Sequence, residues 1–196
     1  LLCCTIIGAV VGIPLGLLAG YRRGAWEFCL MRLADVFQSF PSIVLVLCLV
    51  SLVGPSALNL VLVLGLLGWT GIARLVYGNT LSVREKEYVL AARALGAKPG
   101  RIIRKHILPN CISVIFISVA LQIPSAIFTE SFLSFIGLGV QAPMPSLGSL
   151  ANAARGGMQN YPWKMLFPAL SICLIVLSFN LLGDGLRDAF DPKLRR

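Results

Sequence analysis

Five stretches of the chain are long and apolar enough to cross a bilayer, and the breaks between them set the topology. Leu1 to Gly20 carries no charge and predicts one span, since about 20 mostly apolar residues suffice. Val36 to Ala73 is again uncharged and nearly twice that length. The breaker "GPS" at Gly54, Pro55 and Ser56 divides it into two spans, because proline cannot continue the helical hydrogen-bond pattern. Ile107 to Thr129, running on past Glu130 to about Leu138, predicts a fourth span, and Met165 to Gly183 a fifth. Between these two, "GLGVQAPMPSLGSLANAARGGMQNYPWK" is rich in Gly, Pro and Ser and reads as an external loop with room for a short helix that dips back. The fold class is all-α, a polytopic transmembrane helical bundle, with residues 1–196 as one membrane domain.

Composition agrees. The chain is 57% hydrophobic and only 13% charged, about half the charged share of a soluble domain. Its formal net charge of +9 raises the question of nucleic acid, but the distribution points elsewhere. With five spans alternating sides, all but two of the 17 lysines and arginines fall on one side. They group as Arg22 to Arg32, Arg74 to Lys105, and Arg187 to Arg196, leaving Arg155 and Lys164 opposite. Excess Lys and Arg mark the cytoplasmic side, which places the N-terminal end outside. An apolar start on the outer face carries the expectation that an earlier span precedes Leu1.

Little in the sequence supports catalysis. The six cysteines form no CxxC pair, most of them lie in apolar runs as small hydrophobes, and His106 is the only histidine. No metal site, disulfide framework or catalytic residue is expected. No G-x-x-x-x-G-K-[ST] phosphate loop occurs, so the chain is expected to hydrolyse no ATP itself. Asp184 and Asp35 are the only carboxylates with which to imagine an intramembrane aspartyl protease, and Asp35 sits beside Arg32. Gln122, Glu130, Asn180 and Asp184 are polar groups within or near spans, where such groups are expensive and mark candidate sites. Gln122 and Glu130 are candidates for a translocation path, while Asn180 and Asp184 read as interhelical hydrogen bonding or a helix-end salt bridge with Arg187.

The most structured polar segment is the basic insert, residues 84–109. Tyr88, Ala91, Ala92 and Leu95 follow the spacing of one helix face. Gly96 and Pro99 then stop and restart the helix, with positive φ expected at Gly96 and Pro99 at a first helical position. Ile102, Ile103, His106 and Ile107 continue on a second face, and Leu108-Pro109 closes the insert before the next span. A solvated positive loop is the plain alternative. A DNA-reading helix–turn–helix fits poorly in a segment tethered to bilayer at both ends.

The run "YVLAARALGAKPGRIIRKHILPN" resembles the EAA loop of ABC importer permeases, with Ala91, Ala92, Gly96, Leu108 and Pro109 on the family spacing. Leu90 stands at the family glutamate and His106 at its isoleucine. "ESFLSFIGLGVQAPMPSLGSL" and "FNLLGDGLRDAFDPKLRR" are similar to the second permease subunit of dipeptide, oligopeptide and nickel importers. The resemblance implies a cell (inner) membrane transport subunit that is not an enzyme, with Tyr88, Ala91, Ala92, Leu95, Gly96, Leu108 and Pro109 coupling it to an ATPase. It also implies the partners: a homologous permease, two ABC ATPase subunits carrying ATP and magnesium, and an extracytoplasmic substrate-binding protein. Di- or oligopeptides are the expected cargo, with nickel or its chelates second. A stand-alone channel or secondary transporter is the rival class and would need no coupling loop.

Overall fold

The computed structural model describes residues 2–140 and 143–190. Among the described residues nine α-helices follow one another: α1 (Leu2–Arg22), α2 (Ala25–Ser39), α3 (Ser42–Val53), α4 (Ala57–Arg84), α5 (Glu87–Ala94), α6 (Pro99–Ile102), α7 (Leu108–Phe135), α8 (Leu147–Ala154) and α9 (Trp163–Phe190). A π-helical turn, Ile103–Ile107, joins α6 to α7, and a 3-10 turn, Arg155–Gly157, follows α8. Among the described residues there is no strand.

Four long helices match four of the expected spans: α1, α4, the rod Pro99–Phe135, and α9. The remaining span differs. It begins in the charged stretch before Val36 and is broken into α2 and α3, which meet at 88°. Pro41 explains the break, since its fixed φ suits the start of α3 and its missing N–H cannot continue α2. The charges of α2 are accommodated by partners on α4. Arg74 pairs with Asp35, which also lies 3.7 Å from Arg32. The Tyr77 hydroxyl donates to Glu27, and Arg23 lies 3.6 Å from the same carboxylate.

The structural centre is the pairing of α1 with α4. Gly8, Gly12, Gly16 and Gly20 recur every fourth residue, which places them in one row along α1. Gly8 meets the backbone of Gly68 and Trp69, Gly12 that of Trp69, Gly16 that of Ala73, and Gly20 lies against Thr80. Both sets of numbers rise together, so the two helices run parallel. A parallel pair requires the intervening chain to recross the bilayer, and α2 with α3 provides that return. Without a hydrophobic driving force in lipid, such backbone-to-backbone approach is what holds spanning helices together.

At the inner end the Arg84 guanidinium donates to the carbonyls of Gly20 and Tyr21 (3.4 and 3.2 Å), capping the last turn of α1. α7 runs antiparallel to α4. Its inner residues Cys111 and Ile115 join Leu17, Ile72 and Val76 in one cluster, and outer Leu133 joins Val46, Val50, Leu60 and Val63 in another. The expected external loop holds α8, whose Gly148 packs onto the Ser131 backbone. α8 is capped by reciprocal hydrogen bonds between Ser146 and Ser149. α9 touches α7 and α8 and exposes Leu170, Leu174, Leu177 and Leu181.

Two readings are corrected here. Asn180 and Asp184 are exposed on α9 and make no side-chain bond among the described residues, because that face of α9 points away from the chain. Most cysteines of the apolar runs are likewise not core groups: Cys4 and Cys111 are buried, whereas Cys3, Cys48 and Cys173 are exposed.

This topology puts the loop before α8 and the insert at opposite ends of the bundle. In a chain stripped of native cysteines, Met144→Cys is expected to react with a membrane-impermeant thiol reagent on intact cells, and Lys98→Cys only after permeabilisation. Labelling of position 98 on intact cells would reverse the orientation.

Candidate functional site

The insert is a helical hairpin fixed to the inner ends of three spans. On α5 the inward residue is Val89, fully buried with Ile102, Ile107, Leu17 and Val76. The helix face read from the sequence, Tyr88–Ala91–Ala92–Leu95, looks outward. Tyr88 is 43% and Leu95 88% exposed, Ala91 is exposed, and Ala92 is half-buried. The buried position is the β-branched Val89 beside that stripe, which the sequence reading does not single out. Leu90, at the position of the family glutamate, is also exposed.

The turn follows expectation. Gly96 has φ +79°, Gly96 N–H donates to the Arg93 carbonyl (3.0 Å) and Ala97 N–H to the Ala92 carbonyl (3.1 Å). This is the paired closure of a Schellman motif, which requires the left-handed residue that glycine supplies most cheaply. Nothing lies within 4 Å of where a Gly96 Cβ would stand, so the turn is open. Pro99 occupies the start of α6, as expected.

Leu108-Pro109 does not close the insert. The helix runs on, and the Leu108 N–H donates to the Ile103 carbonyl in a π-type bond. A proline at 109 crowds the carbonyl four residues earlier, and the widened turn relieves that clash without ending the helix. Leu108 packs against the inner cluster, while Pro109 is exposed. α5 is further braced by the Tyr88 and His106 rings (centroids 6.2 Å apart) and by Arg93, whose guanidinium lies 5.6 Å from the Tyr21 ring centroid. A push on α5 therefore reaches α1, α4 and α7 through packed side chains.

A second region lies deeper. A cavity of about 230 Å³ opens between α1, α3, α4 and α7, lined on its polar side by Thr5, Ser42, Gln122, Ser125 and Thr129. No charged side chain lines it. Gln122 Nε2 donates to the Gly68 carbonyl (3.2 Å), so one end of the amide is fixed to α4.

Glu130 does not join Gln122 there. It is buried, accepts from Ser134 Oγ (2.7 Å), and Ser134 Oγ in turn accepts from Val140 N–H (3.0 Å). That network ties the outer end of α7 to the loop beyond it. Among the described residues no His, Cys, Asp or Glu group is arranged to hold a metal ion. Nor do Asp35 and Asp184 form a carboxylate pair: Asp35 is engaged by arginines and Asp184 is exposed on α9.

Residues 12–196 match the model of the family described as binding-protein-dependent transport system inner membrane component. The chain is 40% identical over 97% of its length to the oligopeptide transport system permease protein OppC of Bacillus subtilis (strain 168), covering 63% of that protein. It is 44% identical over 97% to the dipeptide permease DppC of the same organism, covering 60%. It is 44% identical over 97% to the glutathione transport system permease protein GsiD of Pectobacterium atrosepticum, covering 63%. The chain thus spans about three fifths of the length of these relatives. Its fold is that of the MetNI methionine ABC transporter in inward-facing conformations, with TM-score 0.76 at 20% identity, covering 96% of this chain and 90% of that one. A crystal structure of an amino acid ABC transporter gives 0.69 at 16%, with the same coverages.

Proposed function

The chain belongs to the binding-protein-dependent transport system inner membrane component family, and on that premise we propose that it is a membrane-spanning permease subunit of an ATP-driven importer of di- or oligopeptides. The observation that carries this reading is the insert: an exposed helix with an open glycine turn, anchored by Val89 to the inner ends of α1, α4 and α7. Such a part suits a separate motor better than a stand-alone channel. Peptide cargo is preferred to nickel because relatives alike along this chain are named for oligopeptide, dipeptide and glutathione transport.

In this reading an ATPase subunit seats on the outward face of α5, at Tyr88, Ala91, Ala92, Leu95 and Gly96. Leu108 and Pro109 lie where the insert enters α7 and carry its displacement into the span. From Ile107 to Gln122 that rod is about 22 Å long at 1.5 Å per residue, so a small tilt at the insert moves one wall of the cavity. The full assembly comprises a homologous permease, two ATPase subunits binding ATP and magnesium, and an extracytoplasmic binding protein that delivers substrate. Gln122 faces the passing cargo. Glu130 contributes by holding the outer end of α7.

The division of labour is testable by reconstitution. The purified subunit alone is expected to hydrolyse ATP no faster than the empty-membrane background. Adding the ATPase partner and second permease is expected to give hydrolysis, and peptide uptake is expected only when the binding protein is also present. Hydrolysis by the isolated subunit, or peptide uptake without the ATPase, would overturn the proposal.

A further inference from the structure

Three cations at the root of α7 have no use in the site described above. Arg101, Arg104 and Lys105 line one open depression of about 550 Å³ together with Gly100. All three are exposed, and none makes an ion pair or side-chain hydrogen bond among the described residues. They lie on the part of the insert that rises toward the bilayer, away from Leu95 and the Gly96 turn. Counted from Leu108 at 1.5 Å per residue, they stand roughly 4 to 10 Å below the apolar stretch. A headgroup layer is about 5–7 Å deep on each side, so the charges fall at its level.

The same rod supplies the apolar continuation. Its exposed side passes from Arg101 and Lys105 through Pro109 to Ile112 (57% exposed) and Phe116 (53%). Cations followed at helical spacing by bulky apolar groups match the profile of one phospholipid, phosphate first and acyl chain above it. A soluble anion would use only the lower half of this surface, and an acidic protein would not reach the upper half.

We propose that Arg101, Arg104 and Lys105 form a site for the phosphate of an anionic phospholipid in the cytoplasmic leaflet, whose acyl chain lies along Ile112 and Phe116. The bound lipid neutralises the three cations and steadies the root of α7, the element through which the insert moves the cavity wall. The site needs only the membrane orientation, so it stands or falls separately from the peptide cargo.

The test uses the assembled transporter, delipidated and offered an equimolar mixture of phosphatidylglycerol and phosphatidylcholine, with retained lipid measured by native mass spectrometry. Wild type is expected to retain phosphatidylglycerol preferentially, the more so at low salt. Each cation contributes up to about fivefold, so Arg101→Gln, Arg104→Gln and Lys105→Gln combined should bring the ratio near one, while Arg104→Lys keeps it. Inorganic phosphate at matching concentration should not displace the lipid; complete displacement would mean a free-anion site and overturn the proposal. Absence of preference in wild type would do the same, as would an unchanged ratio in the triple variant. Should the triple variant not assemble, Ile112 replaced by photoreactive benzoylphenylalanine decides the matter in otherwise native protein. Crosslinks to phosphatidylglycerol support the site, and crosslinks only to another protein chain reject it.

Discussion

Gly16→Leu is expected to abolish most folded protein while the chain is still made and targeted. A Cβ at position 16 would stand 2.5 Å from the Ala73 carbonyl oxygen and 2.8 Å from Val76 Cβ. The first of these is backbone and cannot rotate away, so α1 and α4 must separate. Gly12 faces the same limit, with the Trp69 carbonyl at 2.7 Å. Overpacking costs about 1–3 kcal/mol, a fall of roughly 5- to 150-fold in the folded ratio. Here it also breaks the parallel pair on which the bundle is built. Gly78→Ala on α4 is the control, since nothing lies within 4 Å of that Cβ. The monodisperse fraction extracted in mild detergent should collapse for Gly16→Leu, fall clearly for Gly16→Ala, and hold or rise for Gly78→Ala. Equal yields for Gly16→Leu and Gly78→Ala would contradict the packing described.

The second large effect is functional, and a graded series at Gly96 separates its causes. Its φ of +79° strains any Cβ by about 1 kcal/mol, whereas asparagine tolerates this conformation better than other residues. Because the surrounding space is empty, a leucine here would fit the isolated subunit and project into the docking surface. Gly96→Asn is expected to keep most uptake, Gly96→Ala to lose a modest part, and Gly96→Leu to abolish uptake at near-normal abundance, with the ATPase no longer co-purifying. Loss that follows backbone strain rather than bulk, with alanine as damaging as leucine, would assign the glycine to folding and not to docking. Full uptake by Gly96→Leu would remove the coupling role.

Much of this architecture is legible in the residues, and the parts that are not share a physical reason. α1, α4, α7 and α9 stand out because each contains a long uncharged run. The turn at Gly96 and the restart at Pro99 are local events, decided by residues that permit or fix φ. α2 is hidden, since Glu27, Arg32 and Asp35 make its sequence look like a polar connection. Only its pairing with Arg74 and Tyr77 of α4 makes that helix tolerable beside a span. The row Gly8, Gly12, Gly16, Gly20 is a four-residue repeat in the sequence, but which helix it meets is decided only by the fold. On the insert, Tyr88, Ala91, Ala92 and Leu95 show one helix face by their spacing, but no local signal marks Val89 as the residue that anchors α5. Which of two adjacent stripes is buried depends on where α1 and α7 arrive. Glu130 and Gln122 look alike in sequence and part company in the fold, one bound to Ser134 and one facing a cavity.

In the proposed transporter an ATPase subunit sits on the outward face of α5. This placement is tested most directly by putting a photoreactive residue at Leu95, the most exposed of the large hydrophobic side chains among the described residues. This is done in the otherwise native transporter, irradiated with and without ATP. Crosslinks from position 95 to the ATPase subunit are expected, with a yield that changes between the two conditions. None is expected from a matching probe at Met144 on the opposite side. Crosslinks from position 95 to lipid or to the second permease alone, with uptake intact, would contradict it.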